Sequence, residues 1–531
     1  MTKRYQVIIV GGGPVGVGLA VELGLRGISC ALIERRVVLQ NIPKGQNLTP
    51  RTAEHFRRWG IIDDLRAARI MPPGYPIGGI TAYGNLMSDY WFAPPQREIV
   101  RPYYAEAPER LPQYRTEMVL RDKMATLAAV DSRMGWVAED ITQDDDGVRV
   151  TIVDTAGGNR ETLAADYAVG CDGARSLVRE AIGIGRGGAD FDQTMVLAVI
   201  RSRALHEGLL RFPPRSTYLV LHPDYQGYWQ FFGRIDVGEG FFFHAPVPPG
   251  TTRDNYDFTA LLHRAAGFPF AFEVDHLGFW DLRISVAERY HFGRIFIAGD
   301  AAHSHPPYGG FGLNNGLEDI RNLGWKLAAR LKGWGSDALL ASYGPERRPI
   351  FEETGADFIA GRIEADRDFL DRYNPARDCA AFEQAWNEHA TGAGGDVLSY
   401  EPHYEGSPVI LGPPGGRCSA HGKHLFTSRA GHHLAPQPLS SGADVYDELG
   451  PDFTLLAFDT PDPTVARFEE AARTLGVPLK VIRDTSETAR AAYGARLILA
   501  RPDQYIVWTG DDVPEDGSLD PSRILGTALG R

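Results

Sequence analysis

The fold turns on the stretch Tyr5-Gln6-Val7-Ile8-Ile9-Val10-Gly11-Gly12-Gly13-Pro14-Val15-Gly16-Val17. A short apolar run breaks into glycines, and helical spacing resumes from Val17 to Leu25. The spacing predicts a buried strand, a tight turn and a helix. Gly11, Gly13 and Gly16 let the backbone turn sharply, approach a pyrophosphate and pack the helix on a sheet. Amides at that helix start present the positive end of the helix dipole to an anion. Ser29 to Ile33 then form a second strand ending at Glu34, where an acid bonds the ribose hydroxyls of a dinucleotide. Arg35 follows directly.

Gly183, Gly185 and Gly188 repeat the same spacing, but they follow the helical stretch Leu177 to Ile182 rather than an apolar strand. That match is read as chance, leaving one Rossmann-type unit for one dinucleotide.

A chain of 531 residues is long for one core, so two or three domains are expected. The net charge of -13 argues against nucleic acid or an anionic membrane as the main partner. Cys30, Cys171, Cys379 and Cys418 lie far apart with no CxxC, which suggests neither a disulfide framework nor a thiolate metal site and fits a reducing cytoplasm. The glycines, Pro14 and Glu22 spoil a signal-peptide or membrane reading of Val7 to Leu25.

Past Glu34, a loop carrying Lys44 leads to a helix from Thr49 to Gly60. Lys44 reaches a phosphate or is a solvated loop lysine, and both readings stay open. Met71 to Pro102 is rich in Pro, Gly and aromatics, and Leu111 to Leu127 is helical with Gln113 at its start. The strand Tyr167 to Gly170 ends at Asp172-Gly173, where Asp172 either caps a helix or meets a ligand hydroxyl.

From Phe191 to Ile284 alternating aromatic strands predict an antiparallel sheet: Thr217 to Leu221, Gly227 to Ile235, Gly240 to Ala245 and Leu277 to Ile284. Tyr218, Tyr228, Trp229 and Phe231 are candidate substrate contacts. Alternation alone leaves a cavity lining and a plain core equally open.

Arg294 to Ala298 is a further buried strand, stopping at Gly299-Asp300. The turn His303-Ser304-His305-Pro306-Pro307-Tyr308-Gly309-Gly310-Phe311-Gly312 then opens a helix from Leu313 with an apolar stripe. Such a turn lets amides converge on a planar, charge-accepting ligand, and Asp300 suits a ribityl hydroxyl. His303 and His305 lack a third ligand at metal spacing.

Three motifs, in order, now carry a resemblance: the glycine turn ending at Glu34; Asp172-Gly173 with Arg175 and Arg179; and Gly299-Asp300 with Gly312-Leu313-Asn314. The chain resembles the flavoprotein aromatic hydroxylases, single-component FAD monooxygenases of the para-hydroxybenzoate hydroxylase fold, through Glu346-Arg347-Arg348-Pro349. His303-Ser304-His305-Pro306-Pro307 and Arg58-Trp59-Gly60 look most like the phenol hydroxylase subgroup.

The resemblance implies an α/β fold: a Rossmann-type FAD-binding domain (1-72, 103-186 and 285-388) interleaved with an antiparallel-sheet substrate domain (73-102 and 187-284). It also implies a thioredoxin-like C-terminal domain (400-531) without redox cysteines, serving as scaffold or dimer contact, after a linker at His389 to Asp396. NADH or NADPH would reduce FAD transiently, and oxygen added at flavin C4a would pass to an electron-rich, phenolic ring. Gly11, Gly13, Pro14, Gly16, Glu34 and Arg35 would hold the ADP half, with Lys44, where the family commonly has an arginine. Gln113, Asp172, Asp300, Gly310, Gly312, Leu313 and Asn314 would meet the ribityl chain, pyrophosphate or ring. Pro307 would lie at the flavin edge, and His305 is the candidate base, against the plainer reading of a hydrogen-bonded structural histidine. The same fold also carries epoxidases, Baeyer-Villiger-type oxygenases and, in another class, a flavin sensor without turnover.

Overall fold

The computed structural model describes residues 3–513 and 519–531, and the side chains of residues 189–192 are left out of the description. The glycine turn connects the strand Arg4–Val10 to the helix Pro14–Leu25, as the spacing predicts. That strand lies in the middle of a parallel array: Val130–Met134, Cys30–Glu34, Arg4–Val10, Arg160–Gly170 and Ile295–Ile297. All four interior residues Val7 to Val10 are buried, because a parallel strand between two others has helices on both faces.

The helix Pro14–Leu25 is apolar apart from Glu22 and packs on the long helix Phe311–Leu331. Small residues set that approach. A methyl group at Gly18 would lie 3.0 Å from the Ile320 side chain, and one at Gly324 would lie 2.6 Å from Glu22. Glu22 is itself buried there, accepting from Trp59 Nε1 and Arg26 Nε, each at 2.7 Å, and paired with Arg321.

A second sheet of eight strands carries the aromatic segment, in the order His303–Ser304, Glu273–Ala287, Arg186–Arg201, Gly240–Val247, Gln230–Arg234, Thr217–Leu221, Gly79–Tyr83 and Trp91–Phe92. The expected all-antiparallel pattern is corrected at one pair, since Thr217–Leu221 runs parallel to Gly79–Tyr83. Parallel neighbours need a long connection, and the chain supplies it by passing through the first sheet between them. The strand expected from Gly227 begins only at Gln230, because Gln226 and Gly227 take positive φ (49° and 84°) in a turn. Gly188, part of the second glycine match, sits at φ 140° against the Ile284 carbonyl inside this sheet and opens no helix.

The C-terminal region forms a sheet ordered Leu479–Asp484, Phe453–Phe458, Leu497–Ala500 and Ile506–Gly510, with the first pair parallel and the rest antiparallel. The expected linker at His389 to Asp396 is partly helical, because Cys379–Gly392 runs into it and Gly395–Ser399 follows. Cys418 lies alone in this region on the strand Cys418–His421, where burial pushes its thiol up to about 12. A buried thiol so disfavoured as thiolate is a poor nucleophile at neutral pH.

Buried charge joins the C-terminal region to the helices below. Glu346, on the helix Tyr343–Glu353, accepts from Lys326 at 2.6 Å, Arg501 at 2.7 Å and Ser407 at 2.6 Å, with all three ionic groups fully buried. Arg501 also pairs with Asp503, which accepts from Trp325 Nε1 at 3.1 Å. Among the described residues no helix is long and apolar enough to cross a membrane.

Removing one partner of such a network strands the others without water. Glu346→Ala is therefore expected to cost about 3–5 kcal/mol in urea unfolding. The cationic neighbours hold the Glu346 carboxyl well below the usual carboxylate range. Its contribution is thus present above the unfolded-state pKa of about 4.3 and is lost as pH falls further, so unfolding midpoints should drop below about pH 4.

Candidate active site

One cavity of about 1540 Å³ runs from the glycine turn to the aromatic sheet. At one end its walls include Gly12, Gly13, Pro14, Glu34 and Gln113, and at the other Phe231, Phe242 and Trp280. The starts of the helices Pro14–Leu25 and Phe311–Leu331 both open onto it.

The three glycines do different work. A methyl group at Gly11 would lie 2.3 Å from the Cys171 carbonyl oxygen, and one at Gly16 would lie 1.9 Å from that of Gly11, so both are needed for the turn itself. One at Gly13 meets nothing within 4 Å, although Gly13 is on the cavity wall. Space kept open there fits close approach by a ligand. Gly12, which the motif spacing passes over, packs on Glu34, whose Oε2 accepts the Gly12 amide at 2.7 Å while Oε1 accepts that of Arg36 at 2.8 Å. Arg36 faces the cavity, whereas Arg35 is exposed elsewhere. Lys44 is exposed at the cavity edge, and its charge acts on Asp300.

Gln113 starts the helix Gln113–Ala125, with Glu117 and Arg121 one and two turns on. All three face the cavity. Arg121 donates to Glu117 at 2.8 Å and to the Gly12 carbonyl at 3.2 Å, placing a cation beside the glycine turn. The four-residue spacing marks that face in the sequence, where only its first member was noticed.

Asp172 has the plainer of its two expected roles. Its Oδ1 accepts from Ser176 Oγ at 2.5 Å and its Oδ2 from the Val178 amide at 3.1 Å, organising the turn into Leu177–Ala181. Asn314 is likewise engaged within the protein, accepting from the Thr49 amide and Thr52 Oγ1 and donating to the Asn47 and Gly310 carbonyls. It pins the Asn47–Thr52 segment to the start of the long helix. Asp300 differs: it is exposed on the cavity with no hydrogen-bond partner among the described residues, and the desolvation it meets there raises its carboxyl above the usual range against the pull of His303, Lys44 and Arg186. A free carboxylate at a strand tip fits a polyhydroxylated ligand chain.

The helix expected from Leu313 begins at Phe311, after Gly309 and Gly310 take positive φ of 68° and 66°. Gly310, Gly312, Leu313 and Pro307 all line the cavity. His305 lines it too, with its Nδ1 against the Pro306 carbonyl and its Nε2 unpartnered beside Gly312. Burial lowers its pKa to about 4, which makes it a weak base at neutral pH. His303 points away, bonded to Asp319 at 2.6 Å and stacked on Phe351.

Sheet alternation separates the four expected aromatic contacts. Phe231 and Trp229 line the cavity, and Trp229 is fixed by its Nε1 donating to Asp366 at 2.6 Å. Tyr218 is turned to the opposite face, where its hydroxyl donates to the Arg215 carbonyl and accepts from Arg234. Tyr228 is buried in the turn before the strand, away from the cavity wall. The expectation for these two tyrosines is corrected: strand parity and the late strand start decide which rings reach the cavity. His244, overlooked in the sequence, does line it. Elsewhere, His403, Glu405 and His432 hold ligand-type atoms within 4.8 Å of one another, but both His432 nitrogens already bond carboxylates and the two rings stack at 4.4 Å. Parallel rings do not converge on one ion.

The family profile described as "FAD binding domain" matches residues 4–356, and the chain belongs to that family of flavin-dependent monooxygenases. It is 31% identical to a putative polyketide hydroxylase of Streptomyces halstedii, over 99% of this chain and 97% of that protein. It is also 31% identical to 4-methyl-5-nitrocatechol 5-monooxygenase of a Burkholderia species, with the same coverage. The rebeccamycin biosynthetic enzyme RebC with reduced flavin superposes with a TM-score of 0.84 over 100% of both chains at 26% identity. A ternary complex of aklavinone-11 hydroxylase with FAD and aklavinone shares the fold, with a TM-score of 0.83 over 100% of both chains at 24% identity.

The residues present fit FAD. The cavity is long, one end is a glycine turn with space at Gly13, and Asp300 is unpartnered. Gly13→Ala separates fold from cofactor, because the new methyl touches no protein atom. Its apoprotein stability should stay within about 0.5 kcal/mol of wild type, while FAD affinity, followed by quenching of flavin fluorescence, should fall at least about tenfold.

Proposed function

We propose that this monooxygenase hydroxylates a phenolic or other electron-rich aromatic substrate held against the second sheet. The observation that carries the reading is the continuity of one cavity from the dinucleotide turn to a wall of Phe231, Phe242 and Trp280. A flat apolar wall with a few polar groups suits a planar ring. The names of the relatives, a polyketide hydroxylase and a nitrocatechol monooxygenase, agree with that substrate class.

In this reading Gly11, Gly13, Gly16, Pro14 and Glu34 hold the ADP half of FAD, with Arg121 lending positive charge near the pyrophosphate. Gln113, Asp300, Gly310, Gly312 and Leu313 bind the ribityl chain and ring end, and Pro307 borders the reactive edge. Bound FAD, reduced by NADH or NADPH, supplies the activation of oxygen and its transfer. The protein orients the ring, excludes water and controls protons. Trp229 and Phe231 form part of the ring's apolar seat, and the Gly309-Gly310 turn aims amides at the flavin end. His305 stays neutral near pH 7, so it acts as a hydrogen-bonding wall group rather than as the base that ionises the substrate.

The C-terminal region, with its mixed four-stranded sheet and helices Asp462–Leu475, Glu487–Tyr493 and Pro521–Ala528, supports a thioredoxin-like scaffold over about 400-531. The first two sheets support the interleaved domain ranges given above. A homodimer and a cytoplasmic location, on four unpaired cysteines, complete the reading.

The deciding experiment is anaerobic flavin reduction by NADH and by NADPH, with and without a panel of phenols, hydroxybenzoates and polycyclic phenols. Acceleration at least about tenfold by one of them, with a hydroxylated product under oxygen, is the expected result. Slow reduction throughout, or an epoxide or ester product, would overturn it. His305→Gln should keep kcat within about tenfold and leave its pH profile between 6 and 9 unchanged, since a group titrating at about 4 has no inflection there.

A further inference from the structure

One row of residues crosses the cavity face of the second sheet: Thr81, Leu219, Phe231, His244, Leu197 and Gly278, each paired with the next in register. All six line the cavity. His244 stands in the middle of the row, the polar side chain of an otherwise apolar centre. It comes from the run Phe241-Phe242-Phe243-His244, in which Phe242 and His244 share the cavity face and Phe241 and Phe243 enter the opposite core.

The imidazole is 2% exposed, and rings pack around it: Phe231 at 4.9 Å, Trp280 at 5.1 Å and Phe242 at 5.4 Å between centroids. Among the described residues neither of its nitrogens has a hydrogen-bond partner. Burial drives its pKa down to about 3, so the ring is neutral. A neutral imidazole carries one N–H and one nitrogen with a lone pair, so the ring can accept one hydrogen bond.

A buried polar group with no partner destabilises a protein, and a fourth phenylalanine would fill the same place without that cost. Polar atoms left open on an apolar cavity wall are what orient a ligand in such a site.

We infer that His244 is the substrate's hydrogen-bond partner on the sheet wall, its free nitrogen accepting from a hydroxyl carried by a planar aromatic ring. The inference rests on the reading of this cavity as the aromatic site, and it adds the group that selects hydroxyl-bearing rings. His244 is then a specificity-determining residue: it fixes which edge of the ring faces the sheet, and it penalises a ring whose hydroxyl is blocked. A site built around a hydrogen bond rejects an analogue lacking it far better than an apolar pocket does.

The test compares 2-naphthol with 2-methoxynaphthalene, and also the panel phenol that most accelerates reduction with its methyl ether, on the FAD-loaded wild type, His244→Phe and His244→Gln. Affinity is read from the change in flavin absorbance, and acceleration from anaerobic reduction. Wild type should bind each phenol at least about tenfold more tightly than its ether. His244→Phe should bind the two within about twofold of each other, through loss of the phenol rather than gain of FAD defects, and should melt no lower than wild type. His244→Gln, which keeps a hydrogen-bonding group, should recover part of the preference. A His244→Phe enzyme that still prefers the phenol tenfold overturns the inference while leaving the hydroxylase reading intact. Failure of every phenol to bind or to accelerate reduction in wild type overturns both.

Discussion

The carboxylate of Glu346 is the constraint from which the rest of the architecture hangs. It is fully buried, and it meets Lys326 from the long helix Phe311–Leu331 and Arg501, just past the C-terminal strand Leu497–Ala500, at one point. Ions this far from water tolerate little displacement, because each oxygen must stay within hydrogen-bond reach of its cation. The helix is thereby fixed in position as well as direction, and its first turn, with Gly312 and Leu313, is a wall of the cavity. Nearby, Arg347 with Asp319 at 2.8 Å and Arg51 with Glu318 at 3.1 Å extend the same principle. A buried network of this kind adds less to stability than apolar packing of equal volume would. We read its use here as specificity of position, since a misdocked C-terminal region leaves several charges unpaired.

The cavity inverts that logic. Where the protein meets itself, polar groups are paired, as with Asn314 and Asp172. Among the described residues that line the cavity, Asp300, His305 Nε2 and the nitrogens of His244 have no hydrogen-bond partner. Glu34, Arg121 and Asn314 face the cavity as well, with their side chains bonded within the protein.

The sequence was informative where chemistry is local. Strand, turn and helix at Tyr5 to Leu25 follow from an apolar run, glycines with no Cβ and Pro14, and the structure has them as read. Short-range geometry also exposes the limits of motif reading. Gly12 packs on Glu34 and Arg121 stands beside the glycine turn, yet neither belongs to the spacing that draws attention. Asp172 and Asn314 looked like ligand contacts because they sit next to the right turns. Only their hydrogen-bond partners, which come from several segments, show that their side chains are occupied by the protein.

By itself the sequence determined the dinucleotide turn and the presence of an aromatic sheet, since each depends on residues a few positions apart. Tertiary structure decided which aromatics face the cavity, because a turn at Gln226 and Gly227 sets where the strand starts, and each one-residue step moves a side chain to the other face. It also decided that Gly79–Tyr83 pairs in parallel with Thr217–Leu221 and that a lone histidine in a phenylalanine run is left unpartnered on the cavity wall. Those outcomes depend on which distant strands lie side by side, and spacing along one chain carries no information about that.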